Sequence, residues 1–363
     1  MPPSATPRAA AGSPSTSTRA APRSAPAGSP WSPARRTEPH VTTVTTATAP
    51  AGTDTVLVAG GTGFIGRAVV RELQARTGTG VRVLSSRGGT TPPAGSPVRH
   101  VRADLTCRDS LRGACDGVTT LVHTVSYVGR DAERCTAVNH DGTLALLDEA
   151  RRAGVARVVH VSTASVYGGG PHRGAREEDL PLRPESAASA SRMRAEQAVL
   201  DAGGAVLRPH LVHGDGDRWV VPAIDRLLRS VPAWPADCDP HISMIAVRDL
   251  ARCVVSLALD PGAVHGPEIF HAADPRPVPM SRLKSALHRI LGTPLPSVTV
   301  SRDEHRARIR RALPALSDHQ YALLTEDHWY DADKLWARTG QHPGPGLEPR
   351  LAESRDWYLR YGS

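Results

Sequence analysis

A chain of 363 residues with 44 Lys and Arg against 36 Asp and Glu is long enough for one large α/β domain with a smaller lobe, or for two modest domains. About half of its +8 formal charge falls in residues 1–52, where Arg8, Arg19, Arg23, Arg35 and Arg36 face Glu38 alone, and the mildly basic remainder argues against nucleic acid as the partner. Cys107, Cys115, Cys135, Cys238 and Cys253 form no CxxC pair and no His-rich ligand spacing, and no apolar run is long enough to cross a membrane, so a reduced, cytoplasmic protein without a metal is expected.

Residues 1–52 are Ala, Pro, Ser, Thr and Arg without apolar periodicity, which predicts a disordered tail. From residue 54 the texture changes. "TVLVAG" reads as a short buried strand, then come a Gly-rich turn and the helical run "RAVVRELQAR". "VRVLSS", "VRHVRADL" and "TTLVHTV" are further strands, "VNHDGTLALLDEARRAG" is a helix, and "ARVVHVSTASVYG" is a strand. "GGAVLRPHLVHG" reads as one more strand ending in a loop. "HISMIAVRDLARCVVSLALD" predicts a strand and a helix, and "MSRLKSALHRIL" a further helix. Strands alternating with helices at this spacing predict an α/β fold, a Rossmann-like doubly wound parallel sheet with a smaller C-terminal substrate-binding lobe. The expected division is a core over 53–212 and a lobe over 213–363, with 241–260 returning to the core.

"VLVAGGTGFIGRAVV" sets Gly60, Gly63 and Gly66 as GxxGxxG directly after a strand and at the opening of a helix. Glycines there permit a tight turn and close backbone approach, and the helix N-terminus stabilises a pyrophosphate, so a dinucleotide is the expected cofactor. With "ADL", "LVHTV", "VNHDGT", "VSTASVYGG", "LRPHLVHGDGD", "IAVRDLAR" and "DADKLWARTG", the chain over about 54–360 resembles the extended short-chain dehydrogenase/reductases, which include nucleotide-sugar epimerases and hydroxysteroid dehydrogenases. The resemblance implies that Thr62, Phe64 and Ile65 complete the glycine loop, that Asp104 and Leu105 lie at the adenine, that Thr124, Val125 and Ser126 lie beside the ribose, and that Pro209 to Val212 pass the nicotinamide. At the end of the second strand, where NAD-dependent members usually carry an acid, the chain has Ser85, Ser86 and Arg87. Hydroxyls and a guanidinium attract a 2′-phosphate that an acid would repel, so NADP(H) is expected, with Arg67 a further contact.

In the family a Ser or Thr, a Tyr and a Lys act together, the Lys lowering the Tyr pKa and holding the nicotinamide ribose. Thr163 matches the Ser/Thr position. The family pattern P-x-S-x-Y-x-x-S-K-x-x-x-E overlays "PESAASASRMRAE" without a gap: Pro184, Ser186, Ser191 and Glu196 match, while Ala188 replaces Tyr and Arg192 replaces Lys. Tyr330 and Lys334 share the right spacing but belong to a C-terminal segment. Ala188 donates no proton, and Arg192, suited to the ribose hydroxyls, is a poor proton donor. The readings left open are a reductase whose proton comes from another side chain, water or the substrate itself, an inactive NADP-binding regulator, and, more weakly, an epimerase or dehydratase.

Candidate catalytic side chains are Thr163, Ser126, Tyr127 and His210. Tyr127 sits at a strand's carboxyl end and His210 in the nicotinamide segment, and histidine titrates in the useful range. Ser165, Tyr167, His213 and Trp219 are candidates for binding substrate, and Trp219, Trp234 and Met244 suggest walls for a bulky polycyclic molecule. Leu316 to Lys334 resembles the hydroxysteroid-type branch, and the absent Tyr an atypical ketoreductase branch acting on angucyclinone polyketides. A small-molecule polycyclic substrate is therefore the expected partner, with no nucleic acid and no membrane, and a homodimer through helices is compatible with the family.

Overall fold

The computed structural model describes residues 54–87, 98–264 and 266–362; the expected disordered tail, 1–52, lies outside the described residues. A seven-stranded parallel sheet is built from β1 (Thr55–Ala59), β2 (Gly80–Ser85), β3 (Val98–Arg102), β4 (Thr120–His123), β5 (Arg157–Val161), β7 (Ala205–Pro209) and β12 (Glu268–Ala272), in the order β12-β7-β5-β4-β1-β2-β3. All residues of β4 and β7 are buried, as expected for strands covered on both faces, whereas edge strand β3 exposes Arg99, His100 and Arg102. The doubly wound fold expected from strand–helix alternation is what the chain forms.

Helix α1 (Phe64–Gln74) follows β1. Short α2 (Ala132–Cys135), a wide π-turn over Thr136–Asp141 and α3 (Gly142–Arg152) replace the single helix expected after β4. Helix α4 (Ala187–Asp201) precedes β7, α5 (Val221–Ser230) opens the lobe, and α6 (Val247–Leu259) packs on α1. The part returning to the core is larger than 241–260, because β12 pairs with β7 in register from Glu268↔Ala205 to Ala272↔Pro209, and Leu335 and Trp336 join the same hydrophobic core.

The strand expected over "GGAVLRPHLVHG" is two strands. Pro209 has no N–H for a continuing ladder, the chain leaves the large sheet at His210, and β8 (Leu211–His213) pairs with β11 (Met244–Ala246) in a separate two-stranded sheet. A four-stranded sheet, β13 (Val278–Pro279), β10 (His241–Ile242), β15 (His328–Tyr330) and β6 (His172–Ala175), and the pair β14 (Val298–Val300) and β9 (Ala233–Pro235) complete the lobe. Trp234 and Met244, expected as ligand walls, are buried in the lobe core, where the Trp234 indole N–H donates to the Cys238 carbonyl at 2.7 Å.

The close approach of α1 to β1 depends on Gly66: a Cβ there would lie 2.2 Å from the Gly60 carbonyl oxygen, and backbone cannot yield as a side-chain tip can. Gly66→Ala is expected to destabilise the protein by about 1–3 kcal/mol in urea unfolding, as overpacked cores do, and to weaken dinucleotide binding.

Candidate active site

The switch point of the sheet lies between β1 and β4, and in such folds the crevice beyond the strands' carboxyl ends receives the ligand. Gly60 there has φ +82°, and a Cβ on it would lie 2.9 Å from Thr124 Oγ1 and 3.0 Å from the Val125 nitrogen. Thr124 clamps this turn, its N–H and hydroxyl both donating to the Ala59 carbonyl at 2.9 Å. Helix α1 begins at Gly63 with no side-chain cap, and Thr62 and Gly63 are exposed, so its first N–H groups are open to an anion. Phe64 and Ile65 are half-buried. Asp104 spends one carboxylate oxygen on Thr106, accepting from its N–H at 2.9 Å and its hydroxyl at 2.7 Å, which lowers its pKa and leaves the other oxygen outside this contact. Leu105 is buried against Gly142. Ser86 and Arg87 are exposed at the end of β2.

Farther along the crevice, the π-turn lets Asn139 accept from the Tyr127 N–H at 2.7 Å while its amide donates to the Tyr127 carbonyl and Ser191 Oγ, both at 2.9 Å. One side chain thus ties the loop after β4 to α4. Ser186 starts α4 with a reciprocal capping box, its hydroxyl accepting from the Ser189 N–H at 3.0 Å. The helix register is held by Glu196, which forms a fully buried ion pair with Arg208 of β7 at 2.6 Å. Counting back by fours along one helix face gives Arg192 and then Ala188.

Arg192 donates to the Val161 carbonyl at 3.2 Å, and burial lowers its pKa to about 10. Its Nε has no partner, nor do the buried Oγ atoms of Ser126 and Ser162 or Nε2 of His210. Thr163 Oγ1 accepts from the Ser165 N–H at 3.1 Å, which orients its hydroxyl and leaves its own proton free to donate. Unspent polar atoms at the ends of β4, β5 and β7, beside a turn where Gly60 and Gly66 leave no room for a Cβ, fit a dinucleotide.

The other candidates divide sharply. Tyr127 folds back over Gly129, whose Cβ would lie 2.2 Å from the phenol oxygen, and Arg134 sits 4.7 Å above its ring, so the 129–134 loop takes up the phenol. Tyr167 does not line a ligand surface: it is 2 % exposed, its hydroxyl is 2.6 Å from His271 Nε2 and accepts from Arg208 at 2.8 Å, and burial raises its pKa to about 12. His213 is buried, and Trp219 is 67 % exposed. Arg67 does not line up with Arg87; it lines a separate cleft with Arg71, Gly214 and Trp357. Tyr330 and Lys334 are no acid–base pair, since the phenol sits 2.9 Å from His172 Nδ1 and the ammonium donates to the Ile269 carbonyl at 2.8 Å. Pro209 is buried and Leu211 half-buried, flanking His210.

A group that sequence reading missed surrounds His210. Its ring stacks on His328 at 5.6 Å and 12°, His328 meets His172 edge-on at 5.4 Å, and His271 and Tyr330 close the cluster. These residues come from four distant segments, and only their density in a chain with 16 histidines hinted at a cluster. Burial first, then the neighbouring imidazoles, drives the His210 pKa well below its ordinary value, and burial takes His271 down to about 4.

The sequence profile of the NAD-dependent epimerase/dehydratase family matches residues 56–273. The chain belongs to that family. It is 26% identical to the 2-alkyl-3-oxoalkanoate reductase of Stenotrophomonas maltophilia over 82% of this chain and 97% of that one. Similarity to sterol demethylase protein B of Methylococcus capsulatus is higher, at 42%, but covers 36% of this chain and 40% of the relative. A ketoreductase of Stigmatella aurantiaca named for 4-hydroxy-2-methyl-3-oxo-4-farnesyl-3,4-dihydroquinoline-1-oxide is 32% identical over 48% of this chain and 54% of its own length. Among solved structures, MoeE5 in complex with UDP-glucose and NAD superimposes with TM-score 0.63 at 25% identity, covering 85% of this chain and 99% of that one. The WbmH enzyme of Bordetella bronchiseptica, solved with NAD+, has TM-score 0.67 at 18% identity, covers 85% and 100% of the two chains, and shares the fold. The family is one of nicotinamide-dependent enzymes. Among the described residues no helix is long and apolar enough to cross a membrane, and no group of three or more His, Cys, Asp or Glu is arranged to hold a metal.

The histidine cluster makes stability acid-sensitive. A histidine whose folded pKa lies below its unfolded value of about 6.5 costs nothing above that pH, and the unfolded chain gains protons first as pH falls. Stability is therefore expected to decline from about pH 6.5 toward pH 4, the His271 value, with His328→Gln flattening the slope of unfolding midpoint against pH.

Proposed function

We propose that the protein is an NADPH-dependent ketoreductase that reduces a carbonyl on a bulky polycyclic aromatic, polyketide-type substrate, and that the substrate's own neighbouring hydroxyl supplies the proton. The observation that carries this reading is Ala188, whose place on α4 follows from the buried Glu196–Arg208 pair. No phenol stands where the family's proton donor belongs, while the cofactor cradle and Thr163 are retained. Relatives named for sterols and for a quinoline oxide support a ring-system substrate. Exposed Ser86 and Arg87 support a 2′-phosphate on the cofactor.

Bound NADPH supplies a hydride. The chain's contribution is placement and hydrogen bonding. The Thr163 hydroxyl, fixed by the Ser165 N–H, donates to the carbonyl oxygen as negative charge develops there. Arg192 holds the ribose hydroxyls through its unspent Nε–H and, charged throughout the working range, keeps the site positive. The His210 ring, held uncharged by burial, offers an unspent Nε2 at the end of β7. Ala188 opens the volume a tyrosine would fill, leaving room for a substrate hydroxyl beside the carbonyl.

The test is to follow nicotinamide absorbance and product mass with NADPH and a panel of hydroxylated polycyclic ketones. Turnover is expected for ketones with an adjacent hydroxyl, with O-methylation lowering kcat by about a hundredfold or more, the usual worth of a positioned proton donor. Thr163→Ala is expected to lower kcat by about 10- to 100-fold with little change in KM. Arg87→Ala should raise KM for NADPH about tenfold, the loss of roughly 1.4 kcal/mol, and leave NADH unaffected. Tight NADPH binding without turnover of any ketone would point instead to a regulator.

A further inference from the structure

A cleft of about 560 Å³ opens between α1, α6 and the C-terminal helices Leu347–Glu353 and Arg355–Gly362, and it shares no residue with the glycine turn Gly60–Gly63 or the end of β2. Its volume suits a small organic ligand. Five arginines line it against three carboxylates. Glu72 is engaged by Arg76, and Glu353 by Arg350 at 2.8 Å and Arg248 at 3.7 Å, while Arg350 is also fixed on Asp249 at 2.7 Å. Of the other three, Arg360 is engaged elsewhere, whereas Arg67 and Arg71 stand one turn apart on an exposed face of α1 with no side-chain partner among the described residues, and Asp215 is the one lining carboxylate not already paired. Two guanidiniums so spaced suit the oxygens of one phosphate.

Two rings, Phe64 and Trp357, stand among small residues in the rest of the lining, and both are fixed. The Trp357 indole N–H donates to the Asp217 carbonyl at 3.1 Å, and its ring stacks on Tyr361 at 6.0 Å and 13°. Phe64 lies against Gly216, where φ is +102° and a Cβ would come within 2.9 Å of the ring. His213, 2 % exposed, contributes a buried Nδ1 without a partner. Two unpaired guanidiniums, two fixed rings and the His213 side chain, whose Nδ1 is buried without a partner, thus line one cavity.

We propose that this cleft is a second ligand site, separate from the dinucleotide crevice, for a planar aromatic group carrying a phosphate. The phosphate accepts from Arg67 and Arg71 and the ring lies against Phe64 and Trp357. Because Arg67 stands in the first turn of α1, its backbone N–H bonded to the Gly63 carbonyl at 3.0 Å, occupancy acts on the helix whose N-terminus faces the cofactor. Linkage then requires cofactor and ligand to change each other's affinity by the same factor.

The test is calorimetric titration of the full chain with AMP and with naphthyl phosphate, with NADP+ saturating so that the dinucleotide crevice is filled, and with adenosine and inorganic phosphate as partial probes. One equivalent of AMP or naphthyl phosphate is expected to bind and each partial probe to bind at least about tenfold more weakly, with Arg71→Ala costing about tenfold and Arg67→Ala/Arg71→Ala abolishing the heat. Binding should quench tryptophan emission, and Trp357→Phe should remove the quench. Both arginines are exposed, so the variants should keep the parent's thermal unfolding midpoint. The proposal is overturned if neither aryl phosphate binds, if the heat survives in the double variant, or if it appears only when NADP+ is omitted.

Discussion

The buried Arg208–Glu196 pair is the constraint on which the site's reading depends. Both side chains are essentially without solvent, and an ion pair so placed is tolerated only when its hydrogen bonds are satisfied. Arg208 meets this by donating to both Glu196 oxygens and to Tyr167, whose hydroxyl in turn meets His271. Removing one partner would leave a buried charge at a cost of about 3–5 kcal/mol, far more than a surface pair is worth. The network locks α4 to β7 and, through Tyr167, to the turn after β5. The register of α4 is thereby held, and it places Arg192 and Ala188 on the Glu196 side of the helix, one and two turns before it.

Local signals were legible in the sequence and long-range ones were not. GGTGFIG announced its turn because the positive φ of Gly60 and the crowding of Gly63 and Gly66 on the Gly60 carbonyl are constraints within a few residues. The stretch from Ser186 to Glu196 is legible as one helix because its cap and its length are both local signals. Tyr167 misled because burial depends on partners from β7 and β12 that no local pattern reveals. Arg67 misled for a related reason: helical phase decides which cleft a side chain enters, and adjacency to the third glycine says nothing of phase. The histidine cluster draws on β6, the residue between β7 and β8, β12 and β15, so it exists only once the lobe has closed on the core. The break at Pro209 was written in plain sight, as a residue that cannot continue a ladder, but the apolar run around it masked the change of sheet.

The crevice and the Arg67–Arg71 cleft share helix α1 yet differ in kind. One is defined by what glycine leaves out, with backbone close to backbone and polar atoms unspent at strand ends. The other is defined by side chains, with two guanidiniums and two rings in its lining. This separation lets one helix present its amide dipoles at one end and its charged face along the side, without either use constraining the residues of the other.

Ala188 has a consequence for selection among substrates. An enzyme that carries its own phenol can reduce any ketone that fits, because the proton is always at hand. On the chemistry proposed for this protein, fit is insufficient: a ketone of the right outline but without an acidic neighbour would occupy the site and leave unchanged. Discrimination would then operate on the electronic character of the molecule as much as on its contour, and the rate would track the acidity of a group that the protein does not own.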